Sequence, residues 1–217
     1  MTRLQGICDM TPTPFIADVG TDHGFVPKTL IESKKIIHAF VTDISEKCLD
    51  KAKGNLIGLE SSVTFLCGNG LSVFDEDMLS SFRPITAIIT GMGGIEIMKI
   101  LSHSPVKFDY YLLGAQRNIF ELKDYLFENN YEILQDKIVK EDTMFYNLLL
   151  VKHSDTLMDV TRSELYFGKD NLKTLPEDFL EYVKFLHLRY NKLLNFRKDD
   201  IMDKYLMLQD ILGGKNV

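Results

Sequence analysis

Residues 15–24 read FIADVGTDHG, an apolar run entering a turn that holds two carboxylates, a histidine and two glycines. A glycine turn that receives a pyrophosphate has the form G-x-G-x-x-G, whose second glycine lets phosphate approach the backbone. Asp22 stands at that place, where a carboxylate repels phosphate and welcomes a cation. Asp18, Gly20, Thr21, Asp22 and His23 therefore suit a phosphate-free, positively charged nucleoside. S-adenosylmethionine, with its α-ammonium and sulfonium, is such a molecule. The plain structural alternative is a strand-to-helix turn with Asp22 as N-cap and His23 in a structural hydrogen bond.

Four more strand ends carry residues of unusual type. Asp43, with Ile44 beside it, ends an apolar run about 25 residues beyond Asp18, where an acid commonly accepts both ribose hydroxyls. It can also cap the helix that starts near Ser45. Cys67-Gly68-Asn69-Gly70-Leu71 offers the Asn69 amide and Gly70. That amide suits the adenine N6 amino group, although asparagine also tolerates positive φ in a turn. Thr90-Gly91-Met92-Gly93-Gly94 surrounds Met92 with three glycines, leaving backbone open where a methyl group would lie. Close packing of strand on helix accounts for one glycine more easily than for three. Finally, Gln116 and Asn118 in Gly114-Ala115-Gln116-Arg117-Asn118 could read the edge of a nucleobase, with helix capping by Asn118 as the alternative.

These residues need a frame that brings strand ends together. Short apolar runs at 15–19, 36–42, 63–67, 85–90 and 110–113 alternate with segments of helical period, so a parallel sheet covered on both faces is expected. The rhythm then changes. A helix over 121–129 precedes strands at 131–139 and 144–151, joined by the hairpin-length loop 140–143 and hence antiparallel. A parallel sheet closed by an antiparallel pair indicates the seven-stranded, Rossmann-like methyltransferase variant of the α/β doubly wound fold.

After His153 the strand signal ends. Pro176 stands at a good helix start, with Glu177 and Asp178 in the first turn. Phe179, Tyr182, Val183, Leu186, Tyr190, Leu193 and Leu194 recur at spacings of three and four, and Ile201, Tyr205, Leu208 and Leu212 continue the stripe. One long helix or two antiparallel ones are expected, forming a helical hairpin or short coiled coil with 161–167. The chain thus divides into 1–153, the cofactor-binding unit, and 154–217, a small helical unit. The long helix can close on its own chain or pair with a second copy, so a monomer or weak dimer is expected.

The 217 residues carry a formal net charge of −6, which argues against a general nucleic-acid binder. Lys184, Arg189, Lys192, Arg197 and Lys198 nonetheless make 184–198 locally basic, interleaved with Tyr182, Tyr190 and Phe196. RNA contact is one reading of this stretch; a solvated helix face with aromatic core contacts is the other. The three cysteines, Cys8, Cys48 and Cys67, form no C-x-x-C pair, so neither zinc nor a disulfide framework is supported, and Cys67 reads as a small core residue. No apolar run reaches the roughly 20 residues of a membrane span, and no signal peptide is visible, so a cytoplasmic location is expected.

With these residues in place the sequence resembles the bacterial tRNA (adenine(22)-N1)-methyltransferases over nearly its whole length. The resemblance is carried by Ala17-Asp18-Val19-Gly20-Thr21-Asp22-His23, Gly68-Asn69-Gly70-Leu71, Gly91-Met92-Gly93-Gly94, and Glu141-Asp142 ahead of Tyr146. It implies a Rossmann-like catalytic domain with a C-terminal coiled coil, S-adenosylmethionine as cofactor and tRNA as partner. Three positions depart from the family: Asn69 replaces a frequent aspartate, Asp43 a frequent glutamate, and Arg117 the proline of a common Q-P-N run.

N1 of adenine bears an in-plane lone pair, so methyl transfer is an in-line displacement that leaves a cationic base. Positioning and electrostatics are then the main tasks. Gln116 and Asn118 are expected to orient the base at the Met92 turn, with Asp22 the first candidate acid for the developing charge. Three other readings remain at this stage. They are a methyltransferase for ribosomal RNA or a small molecule, a non-catalytic RNA-binding relic of the fold, and, least favoured, a nicotinamide enzyme.

Overall fold

The computed structural model describes residues 1–156, 159–194 and 201–214. Seven strands form one sheet: β1 (Phe15–Val19), β2 (His38–Asp43), β3 (Val63–Cys67), β4 (Ile85–Met92), β5 (Tyr110–Ala115), β6 (Tyr131–Glu141) and β7 (Met144–His153). Their order is β3-β2-β1-β4-β5-β7-β6. The first five pair in parallel, while β7 runs antiparallel to both β5 and β6. This is the seven-stranded methyltransferase topology expected from the hairpin after residue 130. The connection at its tip is tighter than expected: the strands continue to Glu141 and resume at Met144, leaving Asp142 at φ +54 to make the turn. Aspartate is among the few non-glycine residues that tolerate that region.

Ten α-helices are described: α1 (Arg3–Met10), α2 (Phe25–Glu32), α3 (Glu46–Asn55), α4 (Glu76–Leu79), α5 (Gly94–Ser102), α6 (Ile119–Glu128), α7 (Arg162–Phe167), α8 (Lys169–Thr174), α9 (Glu177–Leu193) and α10 (Met202–Leu212). The sheet is buried on both faces. Ala17, Phe40, Ile89 and Leu113 face one apolar cluster, and Ile16, Val41, Ile88 and Leu112 face the other. Neighbouring residues of each strand thus serve opposite faces, as the pleat requires. Cys67 departs from expectation: it is exposed, because it ends β3 at the open edge of the sheet.

The C-terminal helices form where the periodicity placed them, with a different partnership for one. Pro176 caps α9, whose Phe179, Tyr182, Val183 and Leu186 bury into the same apolar cluster as β5 and α6. α10 packs on α9, with His187 stacked on Tyr205 at 4.8 Å. Residues 161–167, expected beside the long helix, pack as α7 against α6 and α8. Tyr166 and Phe167 lie on Phe120, at ring separations of 4.9 and 5.7 Å, which draws this segment to the sheet's flank. Arg197, Lys198 and Phe196 lie outside the described residues.

Candidate active site

Parallel pairing puts the carboxyl ends of β1 to β5 on one edge of the sheet, and two cavities open there, as is usual for open α/β sheets. The first, about 400 Å³, is lined by Asp18, Gly20, Thr21, Asp22 and His23, with Arg3, Thr90, Gly91, Met92 and Gln116 from neighbouring elements. The second, about 500 Å³, is lined by Asp43, Ile44, Asn69 and Gly70, with Glu96, Lys99, Ile100 and His103 from α5 and its end. Gly20 and Met92 belong to both. Residue 20 favours glycine because its φ is +74, and an added Cβ would also have to displace the Met92 methyl, 2.6 Å away.

The two acids of the first turn have opposite surroundings. Asp18 is buried at the end of β1, and loss of hydration pushes its carboxyl up to about 6, against the Thr21 hydrogen bond and with help from Asp43. Asp22 is exposed and already engaged. Its carboxylate meets Lys51 Nζ at 2.9 Å and His23 Nε2 at 3.1 Å, and the Lys51 hydrogen bond holds it below the ordinary value. Asp22 does not cap α2; Gly24 occupies that position, and its N–H donates to Thr21 Oγ1 at 3.0 Å. The His23 ring stacks on Phe25 at 5.3 Å.

In the second cavity Asp43 is not the cap of α3, because Ser45 holds that position without a side-chain cap bond. Its Oδ1 accepts the Ser45 N–H at 2.8 Å ahead of α3, and the residue still lines the cavity with Asn69. Ile44 is 71% exposed on that wall, an unusual placement for isoleucine that suits the face of a purine. The left-handed residue of the Gly68–Gly70 turn is Gly70 at φ +58, so Asn69 is not needed for backbone conformation. Its side chain makes no hydrogen bond among the described residues. An asparagine amide with that freedom fits adenine, and an acid at Asp43 fits a ribose. The donor set therefore matches an uncharged nucleoside attached to a cationic group.

The Gly91–Gly94 run resolves into separate tasks. Thr90 pairs with Gly114 and Met92 with Ala115, so Gly91 is the extra residue of a β-bulge, with φ +85. Bulges re-aim neighbouring side chains, and this one brings Met92 between the two cavities. Gly94 serves packing: a Cβ there would meet the Asn118 carbonyl oxygen at 2.4 Å. Gly91 and Gly93 have nothing within 4 Å of an added Cβ. Gly94→Ala should therefore destabilise by about 1–3 kcal/mol, as overpacking against backbone does, while Gly93→Ala should melt with the parent. Thermal melts of the pair check this, and equal melting temperatures would refute it.

The expected base-orienting pair shares a third cavity, and only one of the two also reaches the first. Gln116 lines the first cavity, and its backbone N–H donates to Met92 O at 3.0 Å. Asn118 does not reach that cavity. It caps α6 by conformation alone, at φ +57 with no side-chain cap bond, and borders a third cavity, of about 410 Å³, that also includes Gln116. Lys184, Arg189 and Lys192 are exposed on α9; Arg189 borders the third cavity.

Two groups of lining residues escaped sequence reading. Arg3, Leu4 and Ile7 of α1 wall the first cavity, with the Arg3 guanidinium 5.0 Å from the Tyr146 ring. Thr2 as N-cap and the Leu4–Ile7 spacing were the available signals. Glu96, Lys99, Ile100 and His103 wall the second, at helical spacing from the glycine run.

Comparison with known proteins agrees with this geometry. Residues 1–149 match the methyltransferase domain family model. A candidate tRNA methyltransferase of Mycoplasma pneumoniae is 30% identical over 178 residues, which cover 82% of this chain and 79% of that protein. The tRNA (adenine(22)-N(1))-methyltransferase of Bacillus subtilis is 26% identical over 163 residues, 70% of this chain and 65% of that one. The fold superposes on a candidate tRNA (m1A22) methyltransferase of Streptococcus pneumoniae in complex with S-adenosyl-L-methionine. The TM-score is 0.84 at 24% identity, covering 97% of this chain and 98% of that one. The chain belongs to the methyltransferase domain family, together with the candidate tRNA methyltransferase of Mycoplasma pneumoniae.

Proposed function

We propose that this protein transfers the methyl group of S-adenosylmethionine to N1 of adenine 22 in tRNA. The observation that carries this reading is the pair of cavities that share Gly20 and Met92: one is lined by Asp43, Ile44 and Asn69, the other by the buried Asp18 carboxylate and Gln116. The cofactor supplies an electrophilic methyl on a sulfonium. Asp43 accepts the ribose hydroxyls, Asn69 accepts from the adenine amino group, and Ile44 covers the ring. Gly20, Thr21 and the open backbone at Gly91 and Gly93 leave room beside Met92 for the reacting centre. Asp18, buried and facing the first cavity, balances the positive charge there more directly than Asp22, whose carboxylate is shared with Lys51 and His23. Gln116 orients the incoming base, with Asn118 acting from the adjoining cavity.

N1 lies on the Watson–Crick edge, so a paired target must be exposed before reaction. Residues 1–153 form the cofactor-binding unit in this reading, and 154–217 the unit that meets tRNA in the cytoplasm, with the exposed basic residues of α9 as its contact. No cluster of metal-ligating side chains is found among the described residues, and none of their helices is long and apolar enough to cross a membrane. Methylation of a defined tRNA, followed by mapping of the modified base, tests the assignment. Methyl on another nitrogen, or transfer only to ribosomal RNA or a small molecule, would overturn it.

The basic face of α9 has its own test. Lys184→Glu with Lys192→Glu should weaken tRNA binding and reduce its salt dependence by about two counterions, leaving cofactor affinity unchanged. Filter binding across a salt series checks this; unchanged affinity at moderate salt would remove α9 from the RNA contact.

A further inference from the structure

The third cavity lies between the β5–α6 loop, the β6–β7 hairpin and α9. We propose that it is a second nucleobase subsite, holding an unpaired nucleotide next to the target adenine. This rests on the tRNA reading above and adds to it a place for a base that is not itself methylated.

Five observations converge. Gln116 lines both this cavity and the first, so the two adjoin at the residue proposed to orient the target. Phe185 on α9 is 44% exposed at the cavity wall, with the Phe145 ring 5.4 Å away. Met144, 55% exposed, extends the same apolar surface from the hairpin tip. Arg117 and Arg189 both line the cavity and are exposed, and neither makes an ion pair or side-chain hydrogen bond among the described residues. Asn118 presents its amide to the cavity without using it as a helix cap.

Two guanidiniums without an ion pair among the described residues, on a chain of net charge −6, are an electrostatic site for a polyanion. Exposed Phe185 in the same lining supplies the base platform, which accepts any base because every base has a π-face. A peptide would not need both, and Glu121 is the single carboxylate on the wall among the described residues. The chemistry also requires such a place. Exposing N1 takes the target out of its stack and leaves a neighbouring base without a partner. Phe185 offers that base a new one while Arg117 and Arg189 hold its phosphates.

The test uses the full chain and tRNA transcripts in which 4-thiouridine replaces, one at a time, each nucleotide flanking the target. Irradiation should crosslink at least one flank to α9 or the hairpin tip, as mapped by peptide mass spectrometry. Phe185→Ala should remove that crosslink and raise KM for tRNA about tenfold, the effect falling on KM more than on kcat. Phe185→Trp should restore both. Leu188→Ala, on the same helix but outside the cavity, should change neither. Crosslinks confined to other elements, or a KM for tRNA that Phe185→Ala leaves unmoved, would overturn the subsite alone. Absence of methyl transfer from the parent enzyme to any tRNA would instead overturn the tRNA reading on which it rests.

Discussion

Replacing Asp18 with asparagine should weaken S-adenosylmethionine binding about 100-fold and, at the same time, make the free protein more stable above pH 6. Both effects come from one carboxylate held in the wrong solvent. Burial raises its folded value to about 6, from 3.8 for an ordinary aspartate. Between those values the folded state keeps a proton that the unfolded state has lost, so stability falls as pH rises through that window. Above pH 6 the whole cost is present, roughly 1–3 kcal/mol from a shift of this size. Asparagine keeps the shape and removes the charge, so the variant should melt several degrees higher at pH 8, at about 2–4 °C per kcal/mol for a chain of this length. Near pH 4 the two proteins should melt together. Cofactor affinity should run the other way: removing one member of a buried, charge-assisted contact typically costs about 2–5 kcal/mol. In the parent, affinity should rise from pH 5 to 7 as Asp18 ionises. Calorimetric titration and melts at pH 4 and 8 measure all of this. An asparagine variant that binds the cofactor within a few-fold of the parent, or that melts lower at pH 8, would refute the role.

The second large effect lies away from the reaction. Lys123 on α6 is buried, with 1% of its side chain exposed, and it pairs with Asp136 of β6, itself 5% exposed. Lys123 Nζ also donates to the Tyr166 carbonyl oxygen of α7 at 2.6 Å. One ammonium thus ties together a helix of the sheet's flank, a strand of the closing hairpin and the first helix after the last strand. Lys123→Met should destabilise by about 3–5 kcal/mol, because it leaves an uncompensated buried carboxylate. Lys123→Met with Asp136→Leu should recover most of that loss, since an apolar pair of similar volume needs no desolvation. Denaturant unfolding of the two single variants and the double gives the cycle. Additive losses would show that the pair does not couple.

Lys123 also illustrates what a linear reading misses. In the segment 119–128 a lysine between Leu122 and Asp124 looks like the solvent side of a helix, and only the approach of β6 and α7 encloses it. The same limit applies to Gln116 and Asn118. Their spacing suggested a shared base edge in the first cavity, yet both line the third cavity and Gln116 alone also reaches the first. Arg3 was invisible for a related reason: a helix before the first strand enters the site only through the packing of α1 on α2 and the hairpin.

Local chemistry was legible where it depends on residue type at a strand end. Asp43, Asn69, Gly20 and Gly91 hold the conformations or donor groups that their identities require, and strand-end position follows from the hydrophobic rhythm. The antiparallel close of the sheet was likewise written in the short connection after residue 139, which no parallel crossover could fit. The sequence by itself therefore determined the topology, the strand-end residues and the preference for a cationic, phosphate-free nucleoside, because each rests on short-range sterics and charge. Tertiary structure alone decided that Asp18 is the buried acid while Asp22 is engaged by Lys51, and that the glycine run divides between packing at Gly94 and open space at Gly93. Burial and pairing are set by elements distant in the chain, and no local pattern encodes them.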